Sequence, residues 1–176
     1  MDTWLKSSGA VGLDDLDLAE FPSIGRGVRT LRPFKEGESI LTIPSAALWT
    51  VEHAYADPLL GLALRSVRPP LSVEDVLATY ILFVRSQESG YGGLRSHLAA
   101  LPTSYTSSIF FSDDELEFCA TYSPSLYTIT KELHRRIEDD FRALVGRLFG
   151  QNPSLFPLDK FTIDEVGKMY VRQTLH

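Results

Sequence analysis

The apolar residues of the chain follow two different periods, one before and one after residue 49. In the first part they alternate with polar residues, beginning with Leu16 and Leu18 on either side of Asp17. A period of two is typical of strands with one buried face. We therefore predict three short strands within residues 16–49, and the residues expected to be buried there are Val28, Leu31, Ile40, Leu41 and Ile43.

In the second part the apolar residues recur at intervals of three or four, as they do in amphipathic helices. The longest such run comprises Leu126, Ile129, Leu133, Ile137, Phe141, Leu144 and Leu148. Ser72, Ser112 and Thr162 each stand three residues before an acidic residue, which is the spacing of an N-cap and its reciprocal partner. These patterns predict at least three capped helices.

The predicted fold class is α+β, with a small β unit over residues 1–49 and a mainly helical block over residues 50–176. A length of 176 residues and a hydrophobic content of 44% suit one ordinary globular domain. The single cysteine allows no internal disulfide, and the first residues lack the pattern of a signal peptide. We expect a soluble intracellular protein, cytoplasmic or nuclear, with no membrane partner.

The charge of the chain argues against a nucleic-acid partner. Seventeen basic and 23 acidic residues give a net charge of −6, whereas a nucleic-acid-binding module carries a basic face. The four histidines are scattered and no Cys-x-x-Cys pair is present, so the sequence indicates no metal site. Cys119 shares a helical face with Leu116, which favours a buried apolar role over a nucleophilic one.

The strongest candidate for a binding element is the turn formed by Gly25, Arg26 and Gly27. It is not a dinucleotide fingerprint, because Thr30 stands where the third glycine would be and no helix is predicted after it. Two interpretations remain open. The glycines either serve a tight turn between strands or uncover the backbone for the approach of a ligand.

The order of several segments resembles a known family. These segments are "WLKSSGA", "FPSIGRGVRTLRPFKEGESILTIPSAALWT", "LRSHLAALPTSY" and "FFSDDELEFCATYSPSLYTITKE". Together they are similar to the N-terminal half of SET-domain protein-lysine methyltransferases, in the subgroup of the Rubisco large-subunit methyltransferase. The resemblance implies that the first SET strands are followed by a helical insertion.

The resemblance also implies a cofactor, S-adenosylmethionine, and a protein substrate. In this family the glycine turn contacts the cofactor, so Gly25, Arg26 and Gly27 are the predicted cofactor-binding residues. Many members carry a glutamate directly before the turn, where this chain has Ile24. No residue here matches the family's later Asn-His element or its tyrosine, so the resemblance assigns no catalytic residue.

Two functions follow as hypotheses. The chain is the N-terminal part of an S-adenosylmethionine-dependent protein-lysine methyltransferase, expected to be inactive alone because the catalytic half of the SET core is not within residues 1–176. Alternatively, it is a non-catalytic interaction module derived from a truncated SET fold, which would associate with itself or a partner through an uncovered sheet edge.

Overall fold

The computed structural model describes residues 2–87, 89–101 and 106–174 and confirms the α+β class. Two strands, β1 (Leu16–Phe21) and β2 (Gly25–Thr30), form an antiparallel hairpin. The helices are α1 (Asp2–Ser7), α2 (Val51–Ala56), α3 (Leu60–Ser66), α4 (Val73–Ser86), α5 (Gly92–Ala100), α6 (Asp113–Tyr122), α7 (Pro124–Leu144) and α8 (Ile163–Thr174). Short 3-10 turns lie at Leu13–Asp15, Ser45–Ala47 and Ser108–Phe110, and a π-helical turn at Val145–Phe149 extends α7.

The chain divides into two compact units. The N-terminal unit comprises residues 1–48 and 91–100, so that α5 belongs to it together with α1 and the hairpin. The helical unit comprises residues 49–90 and 101–176 and contains the other helices. The domain boundary at residues 49 and 50 stays a prediction.

The prediction of three strands is wrong in one respect, because the described part of the N-terminal unit has two. The segment expected to form the third strand contributes only an isolated bridge, in which the backbones of Val11 and Thr42 exchange hydrogen bonds of 3.0 and 2.9 Å. An alternating apolar pattern needs a neighbouring strand of matching length before it can form a ladder. No such neighbour stands beside this segment among the described residues.

The expected buried residues of this unit are also corrected. Val28 is 61% exposed and Leu31 57%, while Ile40 and Leu41 are exposed and Ile43 is half-buried. Among the described residues of the N-terminal unit, only Ala47 is fully buried. Two strands cannot cover a sheet face by themselves, so the apolar side chains that the pattern marks remain in contact with solvent.

Charged residues fix the loop that follows β2. The guanidinium of Arg32 pairs with Asp15 at 2.9 Å and with Glu38 at 2.7 Å, and it stacks over the ring of Phe34. The bond to Glu38, followed by that to Asp15, raises the pKa of Arg32. Hydrogen bonds from Arg32 and from the backbone N–H of Lys35 lower the pKa of Glu38. This network holds the turn at Gly37 against the start of the hairpin.

The predicted helix starts of the helical unit are confirmed. The hydroxyl of Ser72 accepts a hydrogen bond from the N–H of Asp75, and Thr162 accepts one from Glu165. Ser112 and Glu115 form the complete reciprocal arrangement, with the Glu115 carboxylate accepting from the Ser112 N–H at 2.8 Å. Such bonds satisfy backbone N–H groups that have no partner within the helix.

A cluster of phenylalanine rings forms the centre of the helical unit. Phe149, Phe156 and Phe161 are fully buried, and their ring centroids lie 4.9 to 5.3 Å apart. Phe83 of α4 contacts Phe156 at 6.3 Å. The other large side chains that are fully buried in this unit are Leu60, Leu64, Leu144, Leu148, Val76, Val84, Val166 and Met169. Cys119 is buried on the face of α6 that also carries Leu116, as predicted.

No helix among the described residues is long and apolar enough to cross a membrane.

Acidic residues crowd together where α7 passes the first turn of α4. Burial raises the pKa of the Asp140 carboxyl, and the negative charges of Asp75, Asp139 and Glu74 raise it further. Arg136 acts in the opposite direction, but its guanidinium lies 3.9 Å away and is 69% exposed. The folded state therefore binds a proton at Asp140 more tightly than the unfolded chain does.

Replacing Ser112 with alanine should lower the free energy of unfolding by about 1 kcal/mol, because the first turn of α6 loses its cap. Thermal or urea unfolding followed by circular dichroism measures the change. Ser107 precedes the 3-10 turn at Ser108–Phe110 and makes no capping bond with its side chain, so Ser107→Ala is the matched control. Equal losses in the two variants would contradict the prediction.

Replacing Asp140 with asparagine should stabilise the protein at neutral pH. A raised folded-state pKa means that stability falls as the pH rises from the ordinary aspartate value through the folded value, and stays low above it. The gain in the variant should therefore disappear in acid, where Asp140 is protonated in both states. Asp139→Asn is the control and should give no gain, because that carboxylate pairs with Arg135 and Arg142.

Candidate functional site

The prediction that Gly25, Arg26 and Gly27 form a turn is wrong, because they are the first three residues of β2 and the loop of the hairpin lies before them at residues 22–24. We keep the name glycine turn for these three residues. The backbone N–H of Ile24 donates to the carbonyl of Phe21 at 3.1 Å and closes this loop. Gly25 follows with φ of 76°, a left-handed conformation that favours glycine. Apart from its two neighbours in the chain, no described residue has an atom within 4 Å of the position that a Cβ of Gly25 would take, so the space beside it is open.

Gly27 serves a different purpose from Gly25. A Cβ on Gly27 would lie 3.0 Å from Cε2 of Phe21, closer than ordinary contact. The register pairs Phe21 with Gly25 and Ala19 with Gly27, so the Phe21 ring lies diagonally across Gly27 on one face of the hairpin. Glycine leaves room for this aromatic ring, and a side chain here would require the ring to shift by a few tenths of an ångström.

The register also decides which backbone groups of the turn are accessible. The N–H of Leu31 donates to the carbonyl of Asp15 at 2.8 Å, which makes this a hydrogen-bonded pair. Hydrogen-bonded and open pairs alternate along an antiparallel ladder, so Gly25 and Gly27 direct their backbone groups toward β1. The N–H and C=O of Arg26 consequently point to the other edge of β2, which no strand covers among the described residues.

The side chain of Arg26 is engaged within the same unit. Its guanidinium donates to the carbonyl of Ala100 at 2.8 Å, at the C-terminal end of α5. A cation at this end satisfies a free carbonyl and complements the helix dipole. Helix α5 is further positioned by Trp4 of α1, whose indole occupies the space that a side chain at Gly93 would need and stacks on His97.

Sequence reasoning named the glycines but missed three groups that shape the site. Phe21, the Ala100 carbonyl and the Trp4 indole all contact or position residues of the turn or of α5. Side chains alternate along each strand, but the face that Phe21 shares with Gly27 depends on the register of the hairpin, which the structure supplies. Arg26 and Ala100 are 74 residues apart in the sequence, and no local sequence pattern predicts their hydrogen bond.

The geometry fits a ligand that is bound by main-chain groups. Gly25 borders open space, and the adjacent peptide groups of Arg26 can donate and accept hydrogen bonds at the uncovered edge. Ile24 is 78% exposed. It supplies no polar group at the position where many members of the resembled SET family carry a glutamate. Within the described residues, no three histidine, cysteine or acidic side chains are arranged to hold a metal ion.

Comparisons with curated proteins give distant but extended similarities. No protein-family model matches the chain. An actin-histidine N-methyltransferase of Xenopus tropicalis is 29% identical over 166 residues, which cover 92% of this chain and 27% of that protein. The SET domain-containing protein 4 of Mus musculus is 29% identical over 146 residues, covering 81% of this chain and 31% of that protein.

Solved structures agree with these relatives. The SET domain of LSMT bound to MeLysine and AdoHcy matches 96% of this chain and 37% of its own, with a TM-score of 0.78 and 19% identity. Rubisco LSMT bound to sinefungin and monomethyllysine matches 90% of this chain and 36% of its own, with a TM-score of 0.74. The chain resembles SET-domain methyltransferases in sequence and in fold.

The SET resemblance predicted from the sequence is thereby confirmed. The chain spans about a third or less of the length of these relatives, between 27% and 31% for the two curated proteins. The glycine turn as a cofactor site stays a prediction, because sequence identity at this level carries no single residue's role.

Replacing Gly27 with alanine should destabilise the protein by about 1–2 kcal/mol, because the Phe21 ring must move away from the new methyl group. The loss should shrink when Phe21 is replaced by leucine, which removes the clash. Gly25→Ala is the control: its cost comes from the positive φ, so it should be the same with either residue at 21. A double-mutant cycle from urea unfolding measures the coupling. Additive losses for Gly27 and Phe21 would contradict the contact.

Proposed function

We propose that the chain is the cofactor-side part of an S-adenosylmethionine-dependent SET-domain methyltransferase that acts on protein side chains. One observation carries the proposal. The glycine turn presents main-chain groups at a strand edge that pairs with no other strand among the described residues, in a fold with a TM-score of 0.78 to a SET domain bound to AdoHcy. The curated relatives bear the names of methyltransferases or SET-domain proteins.

The residues of the turn have distinct parts in this proposal. The peptide groups of Arg26 bind the cofactor, and Gly25 keeps the approach to them open. Gly27 leaves room for the Phe21 ring to pack across the hairpin. The Arg26 guanidinium fixes the end of α5 rather than contacting the cofactor itself, since it donates to Ala100.

S-adenosylmethionine supplies an activated methyl group, and transfer to an amine or imidazole nitrogen is an in-line displacement. Such a displacement requires an aligned acceptor, a deprotonated nitrogen and little water. The turn offers main-chain groups that could hold the donor, and no described residue is assigned to the acceptor. We therefore expect no methyl transfer by residues 1–176 alone.

The acceptor is proposed only as a class. The actin-histidine N-methyltransferase is named for a histidine of a protein, and the LSMT structures contain lysine or methylated lysine. Both acceptors are nitrogen side chains, so a nitrogen nucleophile on a protein substrate is the shared chemistry. Protein-lysine methylation is the narrower form of the proposal.

A second candidate function rests on the exposed apolar surface of the N-terminal unit. Leu18 and Val28 lie opposite each other on one face of the hairpin and are 52% and 61% exposed. Exposed apolar faces beside an unpaired strand edge favour association. An interaction module would use this surface for a partner or a second copy. Sedimentation of the chain as a monomer at all concentrations would contradict self-association.

Titrating the chain with S-adenosylmethionine should shift the backbone amide resonances of Gly25, Arg26 and Gly27 in NMR spectra. Gly25→Ala should weaken binding at least several-fold, because a side chain there intrudes on the approach. Gly37 has a similar φ of 80° and equally open surroundings, so Gly37→Ala is the matched control for strain.

Equal affinities in the two glycine variants, or shifts that avoid residues 25–27, would contradict the proposed site. The same titration should be repeated with a longer form of the protein if one is obtained. Binding there but not with residues 1–176 would place part of the cofactor site outside this chain and leave the methyltransferase proposal intact. Absence of binding in both would overturn it.

A further inference from the structure

A groove in the helical unit has no part in the proposed cofactor site. It lies between α7, α8 and the 3-10 turn at Ser108–Phe110, and its volume is about 230 Å³. Ile109 and Ile137 form its half-buried wall, and Ile163 stands at its exposed rim. A volume of this size accommodates one long side chain rather than a small-molecule cofactor.

The groove is fixed in place by hydrogen bonds. His134 bonds through Nε2 to the carbonyl of Ile109 at 2.8 Å. One turn earlier on α7, the hydroxyl of the buried Thr130 donates to Ser108 Oγ at 2.8 Å. These two bonds attach the 3-10 turn to α7, so the groove is preformed and does not have to open for an occupant.

Gly167 is the feature that suggests a use for the groove. It is a buried glycine within α8, where glycine costs about 1 kcal/mol relative to alanine. Its φ is not left-handed, and a Cβ there would meet only Cγ2 of Ile137, at 3.8 Å, an ordinary contact. Helix packing therefore does not require glycine. Its effect is to leave the groove empty.

The charges at the groove determine which side chain fits it. Glu138 of α7 and Asp164 of α8 line the exposed end of the groove, and Glu165 follows on α8. The ammonium of Lys168 bonds to Asp164 at 2.6 Å and to Glu165 at 2.9 Å, which offsets one of the three negative charges. Arg85 also pairs with Glu165. Lys168 and Arg85 together offset two of the three negative charges, so the apolar groove keeps one net negative charge at the end where Glu138 lies beside the Asp164–Lys168 pair.

We propose that this groove binds the side chain of a lysine or arginine from a partner protein, with the aliphatic stem between Ile109, Ile137 and Ile163 and the cationic end at Glu138. The stem of a basic side chain is apolar and its head is charged, which is the same division that the groove shows. The inference concerns the helical unit alone and does not depend on methyl transfer.

Titration of the labelled full chain with N-acetyl-lysine amide tests the proposal by NMR, with N-acetyl-norleucine amide as the uncharged probe of similar length. Lysine should produce saturable shifts at Ile109, Ile137 and Gly167, and norleucine should bind more weakly. Glu138→Gln should weaken lysine binding about threefold, the effect expected for one exposed ion pair. Equal binding of the two probes would overturn the choice of a basic side chain.

Gly167 variants separate binding from folding. Gly167→Ala should raise Tm by roughly 2–4 °C and weaken lysine binding, while Gly167→Leu should abolish the shifts by filling the groove. Gly146 lies in the π-helical turn with open space around it, so Gly146→Ala is the control that changes a helical glycine without touching the groove. Unchanged lysine binding in the Gly167 variants, or no saturable shift at all, would overturn the proposal.

Discussion

The contact among Phe149, Phe156 and Phe161 is the constraint on which the helical unit depends. Phe149 ends the π-helical turn, and the other two rings come from the segment between that turn and α8, so their burial packs this segment against the helices. Aromatic rings bury large apolar areas and interlock in specific orientations, which limits how α4, α7 and α8 can shift. The shape of the groove beside Gly167 depends on this packing, because α7 and α8 form two of its walls.

The N-terminal unit is held together by different means. Its described residues bury only Ala47 fully, and its order comes from the hairpin ladder, the Arg32 ion pairs and the contact of Arg26 with α5. Charged contacts at the surface contribute little stability compared with a core. Among its described residues, the unit leaves apolar side chains exposed and one edge of β2 without a neighbouring strand.

In the candidate site, the register of the hairpin decides what each residue of a short motif contacts. Gly25, Arg26 and Gly27 are adjacent in sequence, yet the hairpin assigns them three tasks: an open approach, an accessible peptide and room for Phe21. Which pairs of the ladder are hydrogen-bonded and which are open depends on how the two strands pair. The motif could therefore be found in the sequence, but the direction of its backbone groups could not. The proposed cofactor contact and the proposed lysine groove lie in separate units, so an experiment that contradicts one proposal leaves the other standing.

The order of several segments along the chain gave the resemblance to SET-domain methyltransferases. Local patterns in the sequence determined the first two strands and the helices capped by Ser72, Ser112 and Thr162. These depend on residues within a few positions of one another, where backbone geometry dictates the spacing. Tertiary structure alone decided that the third strand does not form and that Val28 and Leu31 remain exposed. It also decided that Arg26 reaches Ala100 and that Gly167 borders a groove. Burial and pairing require a second surface, and no single segment of sequence specifies what that surface will be.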